Sequence, residues 1–360
     1  MSNTRTVLVL FGGVSSEHDV SLISARSVID NIPREKYKVL STGITKDGRW
    51  FLYSGDSACL PGGKWLDNEA LLTPALISPD RSEKSLVVFT ADGVEKVPID
   101  VVFPVLHGKN GEDGTIQGLL ELAGIAFVGC DALSSAVCMD KAITNALADA
   151  NHIAQARWQS FTQGEFLASS SVLLENAIDY LGFPIFVKPA NTGSSVGVSK
   201  AKNESELLKA VESAFLHDKK VVLEQGIDGV EIECAVLGNE SPFASIPGEV
   251  VPCNEFYDYD AKYVCGTSEL HIPARLSAEK LAEVKESACR IFTILGCSGL
   301  ARIDFFVQNS DGAVLLNEPN TIPGFTPISM YPKMLEASGI PYPALLDKLL
   351  CLAIEKWSEL

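Results

Sequence analysis

The chain begins with a strand, a glycine turn and a helix, and this order constrains its fold more than any other feature. An apolar run at 6–11 ends at Gly12–Gly13, and apolar residues then recur at helical spacing until Pro33. Apolar runs near 38–44 and 100–106 predict two more strands. Strands that alternate with helices indicate a parallel sheet that is covered on both faces.

The rest of the chain is less regular. We interpret residues 45–99 as a variable segment that leaves this sheet. After Gly129, the pattern of predicted helices and strands changes. A length of 360 residues is enough for two or three domains. The later elements that the pattern predicts are helices over about 139–151, after Asn203 and after Ser277, and strands at 183–188, 221–224, 230–237, 300–307 and 314–320.

Two apolar runs joined at Asp311–Gly312 predict a β-hairpin with a polar face. Arg302 and Asp304 are two residues apart, as are Glu318 and Asn320, so each pair projects from one face of its strand. If the strands pair, two carboxylates, an amide and an arginine meet, and such oxygens suit a hard cation such as Mg²⁺. An exposed face with one ion pair is the alternative. Apolar residues between the polar ones indicate a buried opposite face and favour the metal site.

A loop of small residues at 191–197 follows a strand that carries Lys188, which is typical of phosphate binding. The loop is not a Walker A motif, and a flexible turn explains it equally well. Lys141 at the start of a helix and Lys262 in a polar loop are two further cations. Near a Mg²⁺ site, the three lysines would form a clamp for a triphosphate.

Two residues near the first strands are candidates for a binding site. Glu17 stands at the start of the first helix, where simple helix capping would explain a carboxylate. His107 follows a predicted parallel strand, at the edge where open α/β sheets bind ligands. Gly12–Gly13 lacks the spacing of a dinucleotide-binding loop, which argues against a nicotinamide-dependent oxidoreductase.

The charge and the cysteines restrict the partners and the compartment. There are 29 Lys and Arg against 46 Asp and Glu, a net charge of -17, so we expect neither nucleic acid nor a membrane as partner. The nine cysteines are scattered without a C-x-x-C pair, which is typical of reduced thiols. No signal-peptide pattern follows the first apolar run. We therefore expect a cytoplasmic protein.

Together, seven segments resemble the D-alanine–D-alanine ligases of the ATP-grasp superfamily. Any one of them is a weak signal, but all seven occur in the family's order along the whole chain. The segments are FGGVSSEHDVS (11–21), VLHGKNGEDGTIQG (105–118), CMDK (138–141), KPANTGSSVG (188–197), EFYDYDAKY (255–263), ARIDF (301–305) and NEPNTIPGFT (317–326).

The resemblance implies an α/β fold of the ATP-grasp type, in which a parallel-sheet domain precedes two α+β subdomains that sandwich ATP. The domains would be residues 1–128 for substrate binding, 129–224 for the central subdomain and 225–360 for the C-terminal subdomain. The loop 252–270 would close as a lid, and the protein would be a homodimer.

The resemblance also implies the ligands of ATP and of two Mg²⁺ (or Mn²⁺) ions. The implied metal ligands agree with the polar face of the hairpin: Asp304, Glu318 and Asn320. The residues implied to bind ATP are Lys141, Lys188, Ser195, Glu224, Glu231 and Lys262.

The implied reaction activates one D-alanine as an acyl phosphate and joins it to a second D-alanine, for peptidoglycan synthesis. Arg302 and Gly324 would stabilise the oxyanion. The other implied catalytic residues are Glu17, Ser194 and Tyr263, and the implied substrate-binding residues are His107, Ser329 and Met330.

Substrate choice stays open at the second position. Tyr263 and the apolar Met330 favour D-alanine, whereas residues around 101–118 and 317–326 are similar to the D-serine ligases of glycopeptide resistance. A nucleotide-binding regulator without catalysis and another ATP-grasp carboxylate–amine ligase are the remaining alternatives. We expect the ligase, because none of the residues that it needs is missing.

Overall fold

The computed structural model describes residues 4–251 and 269–358, which build three β-sheets with helices packed on them. Helices α1 (His18–Asn31) and α2 (Thr115–Ala123) belong to the first sheet. Its strands are β1 (Arg5–Gly12), β2 (Tyr37–Ile44), β3 (Trp50–Tyr53), β4 (Leu72–Ile77), β5 (Ser85–Thr90), β6 (Gly93–Pro98), β7 (Val101–Val105) and β8 (Ala126–Phe127). Their order across the sheet is β6-β5-β4-β3-β2-β1-β7-β8.

The predicted strand–turn–helix opening is confirmed and lies in the parallel part of this sheet. β1 pairs in parallel with β2 and β7, and β7 pairs in parallel with β8. Residues 7–11 are fully buried, as expected of a strand that is covered on both faces. Because the carboxyl ends of β1 and β7 are neighbours, Glu17 and His107 lie at the same edge of the sheet.

The prediction that residues 45–99 leave the sheet is wrong. They form β3 to β6, which extend the sheet beyond β2 by antiparallel pairing, so only four of the eight described strands are parallel. These strands are short, and β6 is exposed along most of its length, so few apolar residues mark them. Three short 3₁₀-helices connect β3 to β4: Ser57–Cys59, Pro61–Leu66 and Glu69–Leu71.

The second sheet is antiparallel. Its strands are β9 (Trp158–Thr162), β10 (Ile185–Pro189), β11 (Ser199–Ala201) and β12 (Lys220–Gln225), in the order β11-β10-β12-β9. Helices α3 (Ala132–Met139) and α4 (Lys141–Ala150) precede it, and α5 (Gln163–Leu181) and α6 (Glu204–Ala214) cover one face. The predicted start of α6 is confirmed, because the Asn203 side chain accepts a hydrogen bond from the Glu206 amide at 3.0 Å.

The third sheet is also antiparallel and contains the predicted hairpin. Its strands are β13 (Gly229–Gly238), β14 (Phe243–Ala244), β15 (Gly248–Val251), β16 (Glu269–His271), β17 (Gly299–Gln308) and β18 (Val314–Asn320). The order is β16-β15-β13-β17-β18, with β14 paired to β13. β18 is the last strand of this sheet, where the missing amide of Pro319 costs least.

Three helices complete the chain: α7 (Ala278–Ile294), α8 (Met330–Ala337) and α9 (Tyr342–Ser358). α7 packs on the third sheet, whereas α9 returns to the core of the first sheet. Within the described residues, no single helix could cross a membrane by length and apolar character, and only the pair α8 and α9, bent by 103°, passes that test together. The boundaries of the predicted domains at residues 128 and 224 stay a prediction.

Candidate active site

Two cavities lie between the sheets. The smaller has a volume of about 80 Å³. We call it the acidic pocket because Glu17, Glu112 and Glu233 line it, together with Arg302. The larger has a volume of about 580 Å³ and lies between β10 and β12 on one side and β13, β17 and β18 on the other. We call it the inter-sheet cavity. Ser194 lines both cavities, so a group bound in one lies next to a ligand in the other.

Glu17 belongs to the acidic pocket and is not a helix cap. It occupies the N-cap position of α1, but its side chain makes no capping hydrogen bond. The carboxylate instead accepts a hydrogen bond from the Ser194 hydroxyl. A Cβ atom on Gly108 or Gly193 would lie 2.2 or 2.8 Å from Glu17 Oε2, so both positions need glycine to admit the carboxylate. The capping interpretation is therefore wrong.

His107 is buried at the end of β7 and connects two segments of the pocket. Its Nδ1 lies 3.0 Å from the Ile322 carbonyl oxygen, and its Nε2 lies 3.0 Å from Ser24 Oγ. Burial lowers the pKa of His107 and so favours the neutral imidazole. Because a carbonyl can only accept, Nδ1 carries the proton and Nε2 accepts from Ser24.

Glu112 is a site residue that the sequence pattern did not reveal. Its carboxyl group accepts hydrogen bonds from the amides of Gly108 at 2.7 Å and Ile322 at 3.1 Å. Burial, together with the charge of Glu17, raises the pKa of Glu112 to about 8. The motif at 111–114 was the available signal, but it does not say which of its acids enters the pocket.

The polar face of the hairpin forms as predicted. Arg302 pairs with Asn320 and Asp304 with Glu318 across β17 and β18. The Asn320 amide donates to Asp304 Oδ2 at 2.9 Å. Arg302 donates to both oxygens of Asp304, at 2.7 and 2.6 Å, so Arg302, Asp304 and Asn320 form one hydrogen-bonded cluster, and Glu318 lies opposite Asp304 in the strand register.

The donor set of this cluster fits a magnesium ion. Asp304 is almost fully buried, and the cluster offers carboxylate and amide oxygens without a soft ligand. In residues 4–251 and 269–358, no group of three or more His, Cys, Asp and Glu side chains could hold a metal by itself. The protein would therefore supply Asp304, Glu318 and Asn320, and phosphate oxygens and water would complete the coordination.

Glu233 is a third acidic residue beside this cluster that sequence reasoning missed. It lies on β13 opposite Asp304, and its Oε2 is 3.1 Å from Arg302 Nε. The side chain is almost completely buried. The signal was its spacing of two residues from Glu231, which puts both on one face of the predicted strand.

Lys188 projects from the second sheet into the inter-sheet cavity. Its amino group lies 2.6 Å from Glu224 Oε2 and 3.4 Å from Asn317 Oδ1. Burial alone would lower the pKa of Lys188, but the carboxylates of Glu224 and Glu318 outweigh it and leave the pKa above its ordinary value. Lys188 thus stays a cation in the cavity.

Lys141 reaches the same cavity from the first turn of α4. Its Nζ donates to the Thr192 carbonyl at 2.8 Å, and its amide donates to Ala190 at 3.1 Å. Asp140 caps α4 by accepting from Ala142, and it also forms an ion pair with Lys220 on β12. The cap therefore fixes the helix start against the second sheet.

The small-residue loop at 191–197 has a strained backbone where it meets both cavities. Ser194 and Ser195 have φ values of 49° and 58°, in the left-handed region that non-glycine residues rarely adopt. Strain of this kind is typical of ligand-binding loops. Since Ser195 lines the inter-sheet cavity, this geometry favours the binding loop over a flexible turn.

The far wall of the acidic pocket comes from the segment after β18. Ser329 Oγ lies 2.8 Å from Thr326 Oγ1, and a Cβ atom on Gly324 would lie 2.6 Å from that same Ser329 oxygen. Met330 is buried, and its methyl group lies against Gly248. The wall therefore offers a hydroxyl pair beside an apolar surface.

The structure brings the predicted residues together in two groups. Tyr263, Lys262 and most of the predicted lid at 252–270 lie outside the described residues. The predicted residues that line the acidic pocket are Glu17, His107, Ser194, Arg302, Asn320, Gly324, Ser329 and Met330. Those that line the inter-sheet cavity are Lys141, Lys188, Ser194, Ser195, Glu224, Glu231 and Glu318. Asp304 is in neither lining and is hydrogen-bonded to Arg302 and Asn320 of the first group.

The chain matches two family models, the N-terminus of D-ala D-ala ligase over residues 6–130 and its C-terminus over residues 147–351. It is 52% identical to the D-alanine–D-alanine ligase of Caldicellulosiruptor bescii, covering 97% of this chain and 95% of the relative. It is 48% identical to that of Acetivibrio thermocellus, covering 100% and 98%.

Solved structures give the same result and confirm the predicted ATP-grasp fold class. The VanG D-Ala:D-Ser ligase from Enterococcus faecalis has a TM-score of 0.89 at 39% identity, covering 98% of this chain and 100% of that one. The D-alanine–D-alanine ligase from Coxiella burnetii has a TM-score of 0.85 at 38% identity, covering 99% and 96%. The chain therefore belongs to the D-alanine–D-alanine ligase family.

Proposed function

We propose that this chain uses ATP to join two D-alanine molecules into D-alanyl-D-alanine for peptidoglycan precursors, and releases ADP and phosphate. The contact of the two cavities at Ser194 supports this proposal most directly. An amino acid bound in the acidic pocket would lie next to a nucleotide bound in the inter-sheet cavity. Phosphoryl transfer depends mainly on such positioning and on charge neutralisation.

ATP would occupy the inter-sheet cavity, with its phosphates at Lys141 and Lys188. Glu224 and Glu231 would accept hydrogen bonds from adenine and ribose, and Ser195 and Lys262 would contact the phosphates. Two Mg²⁺ or Mn²⁺ ions at Asp304, Glu318 and Asn320 would neutralise the phosphate charge. The location of Glu318 in the wall of that cavity supports this arrangement.

The first D-alanine would bind in the acidic pocket through its ammonium group at Glu17, near Ser194, His107 and Tyr263. Its carboxylate oxygen attacks the γ-phosphorus, which gives an acyl phosphate and ADP. The amine of the second D-alanine attacks the acyl carbon, and phosphate leaves. Arg302 and the Gly324 amide would stabilise the oxyanion, a contribution of about 3 kcal/mol per donor.

The second amino acid would bind with its carboxylate at Ser329. The buried, apolar Met330 supports D-alanine there, because a hydroxyl would find no partner on that side chain. D-Serine is the alternative, and the structural likeness to a D-Ala:D-Ser ligase keeps it open.

Phosphate release with D-alanine alone and with D-serine or D-lactate added, with product masses, tests the proposed function. The homodipeptide from D-alanine alone is the expected product. Release that depends on D-serine would assign the alternative substrate. If no phosphate is released with any of these substrates although ATP binds, the result would instead support a non-catalytic nucleotide-binding regulator.

The protein would act as a homodimer in the cytoplasm. The side chains of Leu122 on α2 and Leu133 on α3 expose 66% and 76% of their surface, which supports an interface on these neighbouring helices. Sedimentation equilibrium of the Leu133→Asp variant against the unmodified protein tests this, since the charge should shift a dimer towards monomers.

A further inference from the structure

Glu233 is a buried carboxylate that the proposed reaction does not use. It faces Asp304 across β13 and β17, and Arg302 contacts both carboxylates, with Nε 3.1 Å from Glu233 Oε2. Buried charges are costly unless they are paired. We therefore expect the ion pair of Glu233 with Arg302 to have a role that the ion pair of Asp304 with Arg302 does not fill.

The observed ion pair of Asp304 with Arg302 conflicts with the proposed role of Asp304 as a metal ligand. Its oxygens already accept three hydrogen bonds, two from Arg302 at 2.7 and 2.6 Å and one from Asn320 at 2.9 Å, so a divalent cation that bound both oxygens would displace one of them. A bound cation would also put a like charge beside the guanidinium group. Unless another anion holds Arg302, binding the metal would loosen the residue that faces the acidic pocket.

We propose that Glu233 is a positioning residue that keeps Arg302 at the acidic pocket when Asp304 binds the divalent cation. Its carboxylate lies on the β13 side of Arg302, away from β18, which carries Glu318 and Asn320. It can keep its ion pair with Arg302 while Asp304 turns to the metal. This inference rests on the proposed metal site.

The test is Mn²⁺ binding, which does not depend on turnover. Protein saturated with the ATP analogue AMP-PNP is titrated with Mn²⁺, and free Mn²⁺ is followed by electron paramagnetic resonance against a blank of the analogue alone. Without Glu233, Arg302 competes more strongly for Asp304. Glu233→Gln should therefore weaken Mn²⁺ binding roughly 10-fold to 100-fold, the range seen when an outer partner of a metal site is lost.

Three comparisons make the result specific. Glu233→Asp keeps the charge and should recover part of the affinity, which also covers the case in which Glu233→Gln fails to fold. Asp347→Asn removes another partly buried carboxylate that forms an ion pair, with Lys36, and that lines neither cavity; it should leave Mn²⁺ affinity unchanged. If the unmodified protein and Asp304→Asn bind Mn²⁺ equally, the proposed metal site itself fails.

A double-mutant cycle separates positioning from a simple effect of charge. In an Arg302→Met background, Glu233→Gln should weaken Mn²⁺ binding less than twofold, since no guanidinium competes for Asp304. An equal loss in both backgrounds would mean that Glu233 acts on the metal through space and would overturn the proposal. Unchanged affinity in the single variant would overturn it as well.

Discussion

At the scale of single residues, Asp304 carries the largest predicted effect on activity. Asp304→Asn keeps the shape but removes the charge of a proposed metal ligand. Because such a metal supplies several kcal/mol to phosphoryl transfer, ADP formation should fall roughly 100-fold or more. Coupled-enzyme detection of ADP measures it. Asp311→Asn, in the turn of the same hairpin, is the control and should leave turnover unchanged. If Asp304→Asn turns over ATP as fast as the unmodified protein does, the metal assignment is refuted.

Glu112 gives a prediction for the pH dependence of stability. Its pKa of about 8 in the folded protein exceeds the ordinary value of 4.5, so between these values the folded chain keeps a proton that the unfolded chain has lost. The free energy of unfolding therefore decreases as the pH rises through this window. Glu112→Gln removes this contribution. Across this window, the free energy of unfolding of the variant should therefore decrease by about 2 kcal/mol less than that of the unmodified protein, allowing for partial solvent screening.

Urea denaturation of both proteins between about pH 5 and pH 8 measures the difference. A steeper or equal loss of stability in the variant would show that Glu112 is ionised in the folded protein.

Local geometry predicted site residues most directly where their spacing along one hairpin puts them on the same face. Arg302, Asp304, Glu318 and Asn320 alternate with apolar residues around an Asp–Gly turn, and local geometry alone puts them on one face. Glu112 reaches the pocket through an amide at Ile322, which is 210 positions away in the sequence. No local pattern encodes a contact of that range.

At the scale of elements, the start of α4 connects helix capping to nucleotide binding. Asp140→Ala removes the cap and the partner of Lys220, and should cost about 1 kcal/mol of stability. Because Lys141 is the next residue, the KM for ATP should rise severalfold while the KM for D-alanine stays unchanged.

Steady-state kinetics test this prediction, and Asn203→Ala is the matched control. It removes the cap of α6, so it should lower stability by a similar amount without changing either KM. Equal KM values for ATP in all three proteins would show that the cap does not position Lys141.

Elements were predictable where their periodicity is strong. Four predicted elements occur at the predicted positions: the first strand, α6 with its asparagine cap, α7 with its serine cap, and the hairpin. β3 to β6 were missed, because short strands at the open side of a sheet are partly exposed and their pairing partners are set by tertiary contacts.

At the scale of the whole molecule, the acidic pocket forms where the first sheet, the third sheet and the loop that follows β10 meet. Gly193 is the point of contact, where a Cβ atom would lie 2.8 Å from Glu17 Oε2. Gly193→Ala should displace that carboxylate from Ser194 and raise the KM for the first D-alanine roughly 10-fold, equivalent to about 1.4 kcal/mol.

Kinetics with varied D-alanine and saturating ATP measure this change. Gly164→Ala on α5, where a Cβ atom would have no neighbour within 4 Å, is the control and should leave both KM values unchanged. A normal KM for D-alanine in Gly193→Ala would argue against the binding of an ammonium group at Glu17.

The proposed reaction requires that a carboxylate oxygen in the acidic pocket attacks the γ-phosphorus of ATP in the inter-sheet cavity. D-Alanine labelled with ¹⁸O in its carboxylate tests this directly, by mass spectrometry of the inorganic phosphate that is released. One ¹⁸O atom per phosphate is expected, because the oxygen that attacks leaves with the phosphoryl group. Unlabelled phosphate, or label found in AMP, would contradict the proposed reaction.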